Sequence, residues 1–84
     1  MFFVYILQSL KNKAYYVGSC GDVTIRLIQH NNGTVKSTKR YSPWRLVYKE
    51  NYVNLSLART RELQIKSWKK RSSIENLIKT FQNF

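Results

Sequence analysis

Three short segments of the chain are rich in aromatic and β-branched residues, a composition typical of β-strands. They are FFVYILQS (2–9), AYYVGS (14–19) and WRLVYKENY (44–52). The first is apolar at nearly every position, which predicts a strand buried on both faces. Alternation places Phe2, Val4 and Ile6 on one side of it and Phe3, Tyr5 and Leu7 on the other. The polar connection LKNK (10–13) predicts a hairpin between the first two strands.

Three further segments have helical patterns with recognisable start or stop signals. VTIRLIQHN (23–31) follows Asp22, a candidate N-cap, and ends at two asparagines and Gly33. NLSLARTRELQIKSW (54–68) is amphipathic and begins at Asn54. SSIENLIKTF (72–81) begins with a capping-box pattern, Ser72 with Glu75. The basic stretch 34–43 is predicted as a loop. The order ββαβαα predicts a single α/β (α+β) domain over 1–84, a three-stranded sheet with helices packed on it.

Net charge narrows the class of partner. Fifteen Lys and Arg against four Asp and Glu give 15 − 4 = +11, a surplus that indicates a polyanion, nucleic acid first and an anionic membrane surface second. The basic residues are spread over loops and several helices instead of lining one amphipathic helix, so the membrane interpretation ranks below nucleic acid. Two basic clusters are predicted contacts to the nucleic-acid backbone: Lys36, Lys39 and Arg40, and Lys69, Lys70 and Arg71.

Cysteine use and the N-terminal segment indicate the compartment. The single cysteine, Cys20, excludes an internal disulfide and a cysteine-rich zinc site. The apolar start MFFVYILQSL has neither a basic n-region nor a cleavage site, and it is too short to span a bilayer. These features predict a cytoplasmic protein.

Arg26 and His30 lie four residues apart and therefore on one side of the helix at 23–31. The pair is compatible with an ordinary polar helix face whose basic character suits phosphate. It is also compatible with a site in which the arginine holds a phosphate and the histidine moves a proton. Spacing alone favours the first interpretation, because lone histidines are rarely catalytic.

Glu62 lies on the apolar side of the helix at 54–68, between Ala58 and Leu55 on a wheel of about 100° per residue. A carboxylate there needs a partner, because burying an unpaired charge is costly. Three interpretations remain open: an internal ion pair with Arg26, a carboxylate at the rim of the core, or a metal ligand.

The other three acidic residues have local explanations. Asp22 and Glu75 are predicted capping residues, and Glu50 lies on or just after a strand. One good oxygen ligand then remains, Glu62. This scarcity argues against a two-metal site and favours a single Mg²⁺ held mostly by water and phosphate.

Tyr5 and Tyr16 lie on neighbouring predicted strands. They are interpreted either as core aromatics whose hydroxyls reach the surface, or as hydroxyls that orient or deprotonate a water molecule. The ordinary tyrosine pKa is near 10, so a role as base requires a nearby cation.

Five ordered elements of the chain together resemble the GIY-YIG nuclease superfamily. They are FVY (3–5), YVG (16–18), RLIQHNNG (26–33), SPWRLVY (42–48) and LARTRELQIKSW (57–68). Phe3 replaces the glycine of the first tripeptide, and Val17 replaces the isoleucine of the second. The resemblance covers nearly the whole chain and is greatest to small standalone bacterial members, similar to the N-terminal domain of the excision-repair nuclease.

The resemblance implies an antiparallel three-stranded sheet flanked by three helices, and metal-dependent endonuclease chemistry on the phosphodiester bonds of DNA, as in DNA repair. It implies one Mg²⁺ or Mn²⁺ ion and no small-molecule cofactor. The implied roles are Tyr5 or His30 as base, Tyr16 bonded to the water or phosphate, Arg26 on the developing phosphate charge, and Glu62 on the metal. Asn83, a candidate for an asparagine that many members carry, is not assigned to the site.

Two rival functions are weighed against the nuclease. A catalytically silent nucleic-acid-binding module could retain the same fold, and a protein of the membrane surface could use the same charge. The choice between Tyr5 and His30 as base stays open at this point, as does the oligomeric state.

Overall fold

A computed structural model of the chain describes residues 1–82, so Asn83 lies outside the described residues. Its elements, in chain order, are β1 (Phe2–Ser9), β2 (Tyr15–Cys20), α1 (Val23–Asn31), α2 (Lys36–Lys39), β3 (Trp44–Tyr52), α3 (Leu55–Lys66) and α4 (Arg71–Gln82). The predicted elements appear in the predicted order. The structure adds one short helix, α2, within the segment predicted as a basic loop.

The three strands form one antiparallel sheet in the order β2-β1-β3. The predicted α+β class and antiparallel sheet are therefore confirmed. β1 is central and β2 is an edge strand, and the register sets Tyr5 directly opposite Gly18. This register decides which side chains of the two tyrosine-containing strands meet.

The central strand separates two apolar clusters, as its alternation predicts. On the side of α3 and α4, Val4 and Ile6 are fully buried against Ala58 and Ile65. The opposite cluster, on the side of α1, contains Tyr5, Leu7, Val23 and Trp44, with Tyr16 and Leu27 packed on it. The fold is thus three-layered, and residues of β2 face both helical layers.

Two predicted helix caps form as expected. The Asp22 carboxylate accepts the backbone N–H of Ile25 at 3.0 Å, and the Asn54 side chain accepts that of Leu57 at 2.9 Å. Gly33, with a φ of +83°, follows α1 in the left-handed conformation that its lack of a side chain allows.

The predicted capping box at the last helix is not formed. The helix begins at Arg71, so Ser72 is its second residue, inside the first turn. Glu75 instead lies 3.7 Å from the guanidinium of Arg71, in an i, i+4 ion pair on the exposed face. No helix within residues 1–82 is long and apolar enough to cross a membrane.

Candidate active site

Tyr5 and His30 meet in the interior, although 25 residues separate them in the chain. The Tyr5 hydroxyl lies 2.9 Å from Nε2 of His30, and the two side chains are 1 % and 0 % exposed. β1 supplies the tyrosine from the centre of the sheet, and the last turn of α1 supplies the histidine. The two candidates for the base are therefore hydrogen-bonded to each other.

Thr38 of α2 completes a chain of buried hydrogen bonds. Its hydroxyl lies 2.7 Å from Nδ1 of His30 and donates to the backbone carbonyl of Val35 at 3.3 Å. Because that hydroxyl donates its own proton to Val35, it accepts one from Nδ1. The remaining nitrogen, Nε2, then accepts from Tyr5. Burial, together with the charge of Arg26, lowers the pKa of His30, which keeps the imidazole neutral.

Tyr16 lies half-buried beside this chain. Its ring packs edge-on against His30 with centroids 4.9 Å apart, and it also contacts the rings of Tyr5 and Trp44 at 6.3 and 6.2 Å. The ring of Tyr16 thus forms one wall around the Tyr5–His30 pair.

Gly18 leaves the space that the Tyr5 hydroxyl occupies. A Cβ at this position would lie 2.5 Å from the Tyr5 oxygen, nearer than any real contact allows. The position of the tyrosine in the first tripeptide therefore requires the glycine in the second.

Arg26 lies between the buried chain and solvent. Its Nη1 donates to Gln29 at 3.0 Å, while its Nε is buried and has no hydrogen-bond partner within residues 1–82. Burial raises the pKa of Tyr5 to about 12, although the adjacent guanidinium of Arg26 acts in the opposite direction. Tyr5 is therefore a neutral hydroxyl beside a cation.

An open pocket of about 350 Å³ lies against Arg26. Its wall includes Ser19 from the end of β2, Gly21 just after that strand, and Arg59 from α3. Tyr5, Tyr16 and His30 lie behind this surface and do not line it.

Glu62 does not line the pocket itself; it contacts one wall residue, Ser19. The Ser19 hydroxyl donates to Oε1 of Glu62 at 2.6 Å, and Lys66 forms an ion pair with Oε2. Of the three interpretations of Glu62, the ion pair with Arg26 is wrong, because Lys66, one turn along α3, takes that place. Burial raises the pKa of Glu62, but the hydrogen bonds from Lys66 and Ser19 outweigh it and hold that pKa below its usual range.

The donors around Glu62 fit a divalent metal only in one manner. Within residues 1–82, no three side chains of the His, Cys, Asp and Glu types lie together as a binding group. Mg²⁺ tolerates a single protein carboxylate because it keeps most of its water and takes oxygens from phosphate. The ionised Glu62, 17 % exposed, is suited to that arrangement.

The six predicted nucleic-acid contacts lie in two places. Lys36, Lys39 and Arg40 are exposed on and just after α2, the helix whose Thr38 bonds to His30. Lys69 and Lys70 are exposed just before α4, and Arg71 is exposed at its first position. Arg71 also has a structural contact, since it donates to the carbonyl of Lys13 at 2.6 Å and stacks on Tyr15 at 4.4 Å.

Sequence reasoning missed two residues that hold the others in place, Ser19 and Thr38. Strand alternation could have found Ser19, because it lies on the same face of β2 as Val17, towards α3. Thr38 gave no comparable signal, since it lies in a segment with no apolar periodicity.

Comparison with known proteins fits this geometry. A family model described as the GIY-YIG catalytic domain matches residues 1–76. The chain belongs to the GIY-YIG family. The predicted resemblance is therefore confirmed.

The GIY-YIG relatives are UPF0213 proteins. One from Staphylococcus epidermidis is 39% identical over 74 residues, 87% of this chain and 89% of that protein. One from Staphylococcus saprophyticus is 35% identical over the same length. The solution NMR structure of a UPF0213 protein from Bacillus halodurans matches with a TM-score of 0.59 at 30% identity, covering 95% of this chain and 85% of that one.

Proposed function

We propose that the protein is a metal-dependent endonuclease that hydrolyses phosphodiester bonds in DNA with a single divalent ion. The observation that carries the proposal is the buried Tyr5–His30–Thr38 hydrogen-bond chain, which ends beside the unpartnered Nε of Arg26. Membership of a family of catalytic domains and the net charge of +11 support the same conclusion.

Arg26 is proposed to bind the scissile phosphate. A buried guanidinium nitrogen without a partner is costly, and a phosphate oxygen arriving from the adjacent pocket would satisfy it. Guanidinium groups form bidentate, charge-assisted hydrogen bonds with phosphate. These bonds strengthen as negative charge builds on the phosphate oxygens during attack.

Tyr5 is proposed to take the proton from the attacking water while its own proton passes to Nε2 of His30. With a pKa of about 12, Tyr5 is not a phenolate near neutral pH, so it needs an acceptor for its proton, and His30 is 2.9 Å away. His30 is fully enclosed and cannot reach a water in the pocket itself. The Tyr5 hydroxyl is itself enclosed, so this step requires the Arg26 side chain, which lies against it, to move onto the phosphate and admit the water.

Glu62 is proposed to hold the metal at the pocket wall, with Ser19 fixing the direction of the carboxylate. When bound, a divalent ion there supplies charge stabilisation to the phosphate oxygens. The ion pair from Lys66 keeps the carboxylate ionised, and Lys66 would have to release Oε2 before that oxygen could coordinate the metal.

Cleavage of plasmid and branched DNA in Mg²⁺, Mn²⁺ or chelator tests the proposal. We expect metal-dependent cleavage that falls about 10²- to 10³-fold in Arg26→Gln and about 10²- to 10⁴-fold in Tyr5→Phe. Glu62→Gln should lose the metal dependence together with the activity. Glu75→Gln is the matched control, because its carboxylate lies on the exposed face of α4.

Full activity of the Glu62→Gln and Arg26→Gln proteins would contradict this assignment. The second candidate function is a binding module without turnover. It is favoured by one observation, that both oxygens of Glu62 are already engaged by Ser19 and Lys66. DNA binding in chelator, with no cleavage under either metal, would favour the module over the nuclease.

A further inference from the structure

The turn between β1 and β2 joins the two basic clusters that are separate in the sequence. Nζ of Lys11 donates to the backbone carbonyl of Arg40 at 3.3 Å, which ties the turn to the segment after α2. On the other side, the guanidinium of Arg71 donates to the carbonyl of Lys13 at 2.6 Å, which ties the turn to the start of α4. The three basic segments are therefore neighbours.

The turn is held firmly in this position. The hydroxyl of Ser9, fully buried, accepts the backbone N–H groups of Lys11 and Asn12 at 3.0 and 3.1 Å and donates to the carbonyl of Tyr41 at 2.6 Å. The N–H of Leu10 donates to the carbonyl of Pro43 at 2.9 Å. A surface fixed in this way loses little conformational entropy when a ligand binds.

The joined surface carries more than half of the positive charge of the chain. We call it the basic band; its members, all exposed, are Lys11, Lys13, Lys36, Lys39, Arg40, Lys69, Lys70 and Arg71, eight of the 15 Lys and Arg. Glu75 lies at its flank and pairs with Arg71 on the exposed helix face. Asp22, Glu50 and Glu62 are engaged elsewhere by the Ile25 N–H, Arg61 and Lys66.

We propose that the basic band binds the phosphate backbone of a nucleic-acid duplex on one side of the cleavage point. β2 begins at Tyr15, beside the band, and reaches the pocket wall at Ser19, about 13 Å further along the strand. That length corresponds to about four nucleotides of one strand of a duplex. The inference rests on the proposed function for what lies at the pocket, and on charge and contacts for the band itself.

A nucleic acid fits the band better than a lipid surface. The exposed large apolar side chain in the turn is Leu10, and an interfacial membrane site needs a broader apolar face among its cations. Backbone contacts position a duplex without reading its sequence.

Binding of a duplex oligonucleotide in chelator, over a range of salt concentrations, tests the band without requiring cleavage. For the Lys11→Gln, Lys13→Gln double variant we expect the Kd near 0.1 M salt to rise at least about tenfold, because two phosphate contacts are lost. Each lost contact should also lower the salt slope by about 0.9. The matched control is Lys49→Gln with Lys79→Gln, which removes the same charge from the exposed surfaces of β3 and α4, outside the band.

Equal weakening in both double variants would overturn the proposal, because it would mean that net charge alone attracts the DNA. Unchanged DNA binding in the turn variant would also overturn the proposal. So would a turn variant that binds DNA like the wild type but no longer binds phosphatidylglycerol vesicles, because the band would then be a lipid site. Absence of cleavage under any metal would count against the proposed nuclease function and leave this binding result standing.

Arg40→Gln keeps the test valid if the turn variant fails to fold. Lys11 bonds to the backbone carbonyl of Arg40, so replacing the side chain leaves that hydrogen bond in place. We expect Arg40→Gln to keep the wild-type unfolding midpoint and to reduce the salt slope by about 0.9. A salt slope equal to that of the wild type in the folded Arg40→Gln protein would contradict phosphate binding by the basic band.

Discussion

At the scale of single residues, the site depends on the fit between Tyr5 and the groups around its hydroxyl. The hydroxyl has His30 on one side and the bare Cα of Gly18 on the other. Small changes in either neighbour therefore act on Tyr5.

Gly18→Ala should displace the Tyr5 hydroxyl. The new Cβ would lie 2.5 Å from the Tyr5 oxygen, so the ring must move, at a cost of about 1–3 kcal/mol in unfolding free energy. A displacement of this kind can reduce the turnover of the proposed reaction about 10²-fold. Urea unfolding and DNA cleavage measure the two effects.

Gly21→Ala is the control for the effect on stability, since its Cβ would meet the Phe2 ring at an ordinary 3.8 Å. Equal unfolding free energies of the two alanine variants would mean that the space at Gly18 has no special role.

Thr38→Val should destabilise the protein, whereas Thr38→Ser should behave like the wild type. Valine keeps the shape of threonine but leaves the buried Nδ1–H of His30 without an acceptor, which costs about 1–3 kcal/mol. Loss of the acceptor also removes the group that fixes which nitrogen carries the proton, so the ¹⁵N shifts of the imidazole should change in the valine variant alone. Identical shifts in the two variants would contradict the role of Thr38.

At the scale of whole elements, α3 has one face packed on the sheet and one face exposed to solvent. Ile65 is fully enclosed against the sheet, while Leu63 is 67 % exposed. Ile65→Ala should lower the unfolding free energy by about 2–5 kcal/mol, because it leaves a cavity in the core. Leu63→Ala should change it by no more than about 0.5 kcal/mol, and a larger loss at Leu63 than at Ile65 in urea titrations would contradict this assignment.

The elements that carry long periodic patterns could be predicted from sequence. β3 matches its predicted bounds, and the caps at Asp22 and Asn54 form as predicted, because each depends on residues close together in the chain. α2 could not be predicted, since four residues give no apolar periodicity and its helical turn is stabilised by tertiary contacts of Thr38.

In the candidate site, too, the features set by nearby residues could be predicted, and those set by tertiary packing could not. Helical spacing places Arg26 and His30 on one side of α1. The strand pattern places Tyr5 and Tyr16 on neighbouring strands, and the resemblance gave them roles in the site. The sequence could not choose the partner of Glu62, because Lys66 and Arg26 both carry the required charge and only the packing of α3 on β2 selects between them.

At the scale of the whole molecule, the net charge is +11. Repulsion among the excess positive charges destabilises the compact folded state. We expect the melting temperature to rise when NaCl increases from about 0.01 M to about 0.1 M, because the Debye length falls from about 30 to about 10 Å. The rise should be about 4–8 °C for each 1 kcal/mol of repulsion relieved. The Lys49→Gln, Lys79→Gln protein should depend less on salt, and a melting temperature that falls with added salt would contradict the argument.

The enclosure of His30 also makes stability depend on pH. The pKa of His30 is lowered in the folded state, so below about pH 6.5 the unfolded chain takes up a proton that the folded chain does not. Stability should therefore fall as the pH drops through this range. At the alkaline end, the pKa of Tyr5 at about 12 means that its contribution is lost only between about pH 10 and pH 12.

His30 is the only histidine of the chain. Its imidazole ring protons therefore give one set of signals in an NMR spectrum, with no assignment to make and no label to attach. Because both ring nitrogens are bonded inside the candidate site, those signals would register a phosphate arriving at Arg26, a proton moved from Tyr5 or the opening of α2, each in a protein with its natural sequence.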